Sequence, residues 1–393
     1  MPSDKIGPLT HITGTFLIQA EGAFLNGAGL DSGEDRNAVI PKTYTDINEK
    51  GQRTRVPYVS AQAWRRWLRL TFQEENPNEP ATELRALSFN AKGNPDKIGT
   101  EMNPITFAED DIFGYMRAEK GQGRVKESDT GDEGAEENPE EAADVPAEKG
   151  KKAKTEKTKA VMRPSPFVSS ILRSIRKDGW QGDDEGFVHL KEGSPLPYKT
   201  KFYNTQLQGV FGLNYLRLGV FRNDGDRIEL DESLVKQYLN DGSLHAQDGS
   251  ANIYEAVQNK RRERATMILR ALAVLRGGAK QAQFGTDVAP KVIIVAGLNC
   301  GNLIFNDLFE EKNGEPTVKL DALKQTIEDY RHRIITPVFI GVRDGYLQAA
   351  SEYELKDWIQ AGAQLNDGGN TDVRLSSPVK AVEALAGQLA ELG

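Results

Sequence analysis

The chain has 393 residues, with 50 Lys and Arg against 58 Asp and Glu and a formal charge of −8. That length can bury a sizeable core, in one or two domains. No run of ~18 or more apolar residues marks a membrane span, and a single cysteine, Cys300, excludes an internal disulfide framework and fits a reducing cytosol. The four histidines, His11, His189, His245 and His332, stand too far apart in sequence to make a metal motif. The opening MPSDKIGPLTHITG lacks the charged-then-apolar pattern of a signal peptide, so a cytoplasmic protein is expected. The global charge is dominated by one block. Ten acids and no Lys or Arg lie between Glu127 and Glu148, and the rest of the chain carries +2. Any basic surface is therefore local.

Residues 11–19 alternate as a strand, with Ile12, Phe16 and Ile18 at even spacing. A glycine-rich loop follows, and 34–56 is polar, with Arg36, Lys42, Arg53 and Arg55. VPYVSAQAWRRWLR (56–69) opens a helix that runs to about Phe72, with Ser60 as a good N-cap. At helical spacing Trp64, Trp67, Leu68 and Thr71 share one face, which reads as core, while Gln62, Arg65, Arg66 and Arg69 share the other. Solvated helix faces usually mix signs at i,i+4. No acid occurs from Pro57 to Phe72, so the arginine face is either plainly solvated or awaits an anion from outside.

Residues 73–100 read as irregular, and order returns at 105–117. Residues 120–160 are low in complexity, acidic and then lysine-rich, and read as a flexible tether. A strand bent at its prolines is expected at 160–175. A polar, turn-rich stretch at 176–202 carries isolated Trp180, Phe187 and Val188, and a long strand is expected at 204–221. A helix follows over 253–278, with Ala265, Ile268, Leu269, Leu272 and Leu275 as its stripe and Gly277–Gly278 as its stop. PKVIIVAG (290–297) reads as a buried strand, and helices are expected near 318–334 and 378–391. The core order is β-α-β-β-α-β, the split βαβ or ferredoxin-like arrangement that RNA-recognition motifs use. By itself this order says little of function.

No P-loop, GxSxG elbow or paired His/Cys arrangement occurs. Adjacent Asp110 and Asp111 diverge on any regular element and make a poor two-metal site; a surface or capping role is expected for Glu109–Asp111. What is present suits a single-strand clamp: clustered cations without acids, glycine-rich backbone and isolated aromatics on polar loops. Trp180 and Phe187 either wedge against bases or anchor their own loop.

Six stretches in order, HITGTFLIQAEGAFLNGAG, RTRVPYVSAQAWRRWLR, DDIFGYM, RPSPFVSSILRSI, YNTQLQGVFGLNYLRLGVF and LRGGAKQAQFGTDVAPKVIIVA, resemble the backbone subunit of type I CRISPR Cascade complexes. This is the seventh Cas family, and the nearest group is that called DevR or autoregulator, of I-B-like or I-A-like type. The likeness covers about 8–300 apart from 120–160. It implies an α+β fold, with a ferredoxin-like (RNA-recognition-motif) palm at 8–72, 161–176 and 204–300. Fingers would fill 73–160, a thumb 177–203, and 301–393 would extend the palm. It implies a non-catalytic subunit without cofactor or metal. Such a subunit polymerises along guide crRNA and leaves the bases free to pair with a target DNA strand. The partners implied are other copies, the repeat-handle-binding fifth Cas protein, large and small subunits, and a recruited helicase–nuclease or other effector, with no membrane.

Carried onto this sequence, the RNA-binding positions are Asn26, Arg36, Lys42, Arg55, Ser60, Gln62, Arg65, Arg66, Arg69, Arg163, Ser165, Lys280 and Gln281, with Trp180 and Phe187 as thumb wedges. Two departures stand out. The 120–160 tract exceeds a normal finger domain. Related type III subunits cut target RNA with a first-loop aspartate where Asn37 stands here, although Asp31 and Asp35 are near. A metal-dependent ribonuclease is the alternative reading. A duplex-DNA regulator is a third, without a helix-turn-helix pattern to support it.

Overall fold

The computed structural model describes residues 7–31, 38–48, 50–89, 95–117, 160–176, 180–188, 191–225, 228–257 and 260–392, with backbone alone at 85–89, 95–98, 117 and 180–181. The elements that position the site are, in chain order, β1 (His11–Ala23), β2 (Thr43–Ile47), β3 (Arg53–Val59), α1 (Ala61–Glu75), α2 (Ala108–Phe113), β4 (Leu172–Ser174), β5 (Trp180–Val188), β6 (Leu196–Asn214), α3 (Lys260–Ala273), α4 (Gln281–Phe284), β7 (Val292–Leu298), β8 (Val338–Val342), β9 (Val373–Ser376) and α5 (Pro378–Leu392). The architecture is mixed α/β. One large sheet runs β9-β8-β7-β1-β6-β4-β3-β2. Neighbours along it are antiparallel except β8 and β9.

Alternation along the central strands sends side chains to two cores, since successive residues of a strand point to opposite faces. Ile12, Phe16 and Ile18 of β1 and Ile293 and Val295 of β7 meet Trp64, Trp67, Leu68 and Phe72 of α1, the stripe of α3, and Leu385 and Leu389 of α5. The intervening residues Leu17, Val292, Ile294 and Ala296 meet Phe305, Leu323, Leu355 and Trp358 of the C-terminal region. Strands buried on both faces read as continuous apolar runs, which is why PKVIIVAG stood out in the sequence.

Several boundaries differ from expectation. The long strand begins at Leu196 and ends at Asn214. Its first half pairs with β5 as a hairpin arm and its second half with β1. The bent strand is three short ones, Val161–Arg163, Phe167–Ser169 and β4. The expected helix at 253–278 is shorter: Ile253–Ala256 instead pairs with Val220–Arg222 and Leu244–Ala246. With the helix Glu232–Asn240 those strands enclose a third small core around Phe221 and Tyr238. Residues 73–100 include a hairpin, Arg85–Phe89 with Pro95–Gly99. Beyond 303, β8 and β9 extend the large sheet, and the helices Leu320–Asp329 and Ala349–Gln360 lie outside it. The 120–160 tract, apart from Ala160, lies outside the described residues.

Candidate nucleic-acid interface

Helix α1 starts as its sequence dictates. Ser60 is extended, and its hydroxyl accepts from the Ala63 N–H at 3.3 Å. Asn26 clasps this start: its side-chain oxygen accepts the Ser60 N–H at 3.0 Å, and its carbonyl accepts the Lys42 N–H at 2.8 Å. The Lys42 carbonyl in turn accepts from Tyr58 N–H. One asparagine thus joins the glycine-rich loop, the entry to β2 and the head of α1. On the outer face of α1, Gln62 and Arg66 are exposed, and Arg53 and Arg55 are exposed on β3 just before it. Lys42, Arg53, Arg55 and Arg66 have no carboxylate partner among the described residues.

The rest of the arginine face turns inward. Arg65 donates to the Phe167 carbonyl at 2.6 Å, to Ser165 Oγ at 2.9 Å and to the Phe113 carbonyl at 3.4 Å, with its guanidinium over the Phe113 and Phe167 rings. Burial, and then the nearby charge of Arg69, hold its pKa below that of a free guanidinium. Ser165 closes the cluster by donating to the Phe167 carbonyl at 2.7 Å. Arg69 lies over Phe113 and pairs with buried Glu109 at 3.4 Å. The counter-charge missing from 57–72 therefore comes from forty residues downstream. Arg65, Arg69 and Ser165, expected at phosphates, bind this framework instead.

Arg163 departs furthest from its expected place. It is 2% exposed, over the Phe221 ring, and pairs with Asp111 and, at 3.3 Å, with Glu229. It also donates to the Val220 and Arg217 carbonyls at 2.9 and 2.7 Å. All its donors are spent inside the protein, so it does not reach a groove. The expectation of a surface role for Glu109–Asp111 is likewise overturned, because all three are buried. On one helical turn they radiate to different partners. Glu109 accepts from Gln73 and Thr82 N–H, Asp110 from Asn103 N–H, and Asp111 from Arg264 at 2.6 Å and Gly219 N–H at 2.9 Å. Burial raises the Glu109 and Asp110 pKa values above the ordinary carboxylate range.

The third component is the loop after α3. Gly277 and Gly278 have φ of +147° and +115°, and a Cβ on Gly277 would collide with the Trp67 ring. Only glycine lets the backbone lie this close. Ala279 N–H donates to the Leu25 carbonyl at 2.9 Å, which ties this loop to the one carrying Asn26. Lys280 sits over Phe24 and donates to Thr200 Oγ1 at 2.6 Å, and Gln281 bonds back to the Gly277 carbonyl. Both side chains are half-buried.

From this junction rises the arm formed by β5 and the first half of β6. Trp180 is opposite Asn204 at its root, and Val188 is opposite Leu196 near its tip. Phe187 and Leu196 are 65% and 61% exposed there, beside exposed Val188 and Tyr198. Trp180 is therefore placed far from the tip that Phe187 occupies. Arg36, Asp35 and Asn37 lie outside the described residues. Asp31 is ion-paired with Lys201 at 3.3 Å.

No protein-family model and no curated protein matches this chain. Solved structures do. A chain of a "CRISPR RNA-guided surveillance complex, pre-nicking" aligns over 97% of this chain and 100% of its own, with TM-score 0.51 and 11% identity. The two share a fold. A chain of another "CRISPR RNA-guided surveillance complex" aligns over 96% and 99%, with TM-score 0.47 and 12% identity.

A cleft of about 890 Å³ is lined by Tyr44, Arg173, Arg176, Asp307, Glu311 and Lys319 among others. Its cations are already matched, Arg173 and Lys319 to Asp307 and Arg176 to Glu311. The cations around the Asn26 junction, Lys42, Arg53, Arg55 and Arg66, are not matched in this way among the described residues. Sequence reasoning missed that the arginines divide between framework and surface. The signal was present: Arg65 and Arg69 lie one turn apart and flank the tryptophan stripe, where long cationic side chains pack their stems.

Proposed function

We propose that the chain is a non-catalytic backbone subunit of a type I CRISPR effector, with a ferredoxin-like palm and a hairpin thumb. Copies line up along guide crRNA and hold its phosphates, so that the bases remain free to pair with target DNA. The observation that carries this reading is the junction joined by Asn26, where cations without carboxylate partners surround the head of α1 at the foot of an apolar-tipped arm. Phosphate contacts fall to Lys42, Arg55, Ser60, Gln62 and Arg66, on a backbone held in place by the glycine loop. Arg65, Arg69, Ser165 and Arg163 are the frame that aims them. Lys280 and Gln281 buttress the same junction, and Phe187 at the arm tip stacks on or wedges between bases. The partners are guide RNA, further copies, the other subunits of such a complex and a separate nuclease. Target-RNA cleavage through Asp31 is disfavoured by its pairing with Lys201.

The test is to recover the protein with its nucleic acid. Single-strand RNA of guide length should co-purify, and nuclease should dissolve the oligomers. Arg66→Glu with Lys42→Glu should remove two phosphate contacts and flatten the log–log salt dependence by about 1.4, at ~0.7 per contact on single strands. Full RNA retention in a folded double variant would refute the assignment.

A further inference from the structure

Besides its own hairpin, the arm is flanked by the strand Ala38–Pro41, which pairs with Lys199 and Thr200, by the Asp31–Lys201 ion pair, and by α4. Strand β6 runs unbroken for 19 residues from sheet into arm. Where it leaves the sheet, β1 bulges between Ala20 and Ala23 and Gly22 N–H bonds to Asn204. Such a bulge ends regular pairing with β1 and lets a strand bend; past it, the described sheet holds β6 from the side only where the strand Ala38–Pro41 pairs with Lys199 and Thr200. Against this root lies α4, a single turn held between two left-handed residues, Lys280 at φ +51° and Gly285 at φ +56°. Its Phe284 ring is 6.4 Å from the Phe24 ring, stacked, and 5.7 Å from the Phe202 ring on the arm. Its neighbours grip the arm on either side, Lys280 at Thr200 and Gln283 at Asp184.

We infer that Phe284 is a positioning residue: wedged between the first loop and the arm, it sets the angle at which the arm stands over the cationic junction. Left-handed backbone at a non-glycine residue carries a cost that surrounding structure must offset, and here the turn it permits delivers a ring into a gap between two other rings. Because the glycine loop that leads into α4 packs on Trp67 of α1, the arm and the helix carrying Arg66 are held to one frame. That the arm closes over RNA rests on the function proposed above; the brace itself does not.

The test reads the angle directly. In a Cys300→Ser background, spin labels at Glu192→Cys on the arm and Lys380→Cys on α5, both exposed, report one distance distribution. Wild type should give a narrow peak, Phe284→Ala a broad one, and Phe284→Tyr a narrow one again. An Ala variant as narrow as wild type overturns the brace. So does broadening in both variants with matching loss of thermal stability, which would mark a fold defect. With RNA, Phe284→Ala should keep affinity within about twofold, because it leaves Lys42, Arg55 and Arg66, which share no partner with Phe284, in place, while nuclease protection loses its regular spacing. RNA binding that fails in wild type defeats the function proposed above and leaves the distance test to decide the brace.

Discussion

At the residue scale, two arginines one position apart have opposite fates. Arg66 is exposed without a carboxylate partner, whereas Arg65 is bonded to two backbone carbonyls and a hydroxyl. Arg65→Ala should therefore lower stability by about 2 kcal/mol, the scale of charged hydrogen bonds lost from buried acceptors, visible as a shifted denaturant midpoint. Arg66→Ala should leave the midpoint in place and weaken RNA binding. Asp111 is more demanding, because it pairs with both Arg163 and Arg264, and its removal leaves buried Arg264 without a carboxylate partner among the described residues. Asp111→Ala should cost about 3–5 kcal/mol, as breaking a buried ion pair does, measured by equilibrium unfolding. Glu109 and Asp110 give a pH signature. Burial raises their folded pKa values, so the folded chain holds these protons more tightly than the unfolded one. That contribution is fully present below the unfolded carboxylate pKa of about 4 and is lost as pH climbs through the raised folded values. Asp110→Asn removes one of the two groups, so the stability of the variant relative to wild type should rise with pH across that window.

At the element scale, the arm and the glycine loop make separate predictions. Gly277→Ala drives a methyl into Trp67 on a backbone that disfavours side chains. It should destabilise by about 1–3 kcal/mol, the range for overpacking a tight site, and loosen α1 as read by hydrogen exchange. Changing Phe187 and Leu196 to Ser touches only exposed tip residues. Stability should shift by under about 0.5 kcal/mol each, whereas assembly on RNA, followed by light scattering, should fall.

At the scale of the whole molecule, the sequence was legible wherever one periodicity held. The tryptophan stripe of α1, the stripe of α3 and the apolar run of β7 lie in the core as spacing requires. Helix 253–278 lost its first residues because Ile253–Ala256 pairs with Leu244–Ala246 and, more than 30 residues back, with Val220–Arg222, and the latter partner is one that no local pattern displays. The C-terminal strands β8 and β9 were missed because short apolar runs do not announce their element. At the candidate site, the caps and the exposed cations were readable. The inward turn of Arg65 and Arg69 left only the trace of their flanking the tryptophan stripe, and that of Arg163 left none, since their partners sit 40 to 102 residues away in sequence.

The unbroken run of β6 imposes a parity rule on the arm. Register is shared between core and hairpin, so adding one residue between Lys201 and Tyr203 would turn every side chain on one side of the insertion to the opposite face. Phe211 would leave the core or Phe187 would lose its opposing Pro197. The arm can change its length only at the tip and in steps of two, which makes its reach a quantised property of the molecule.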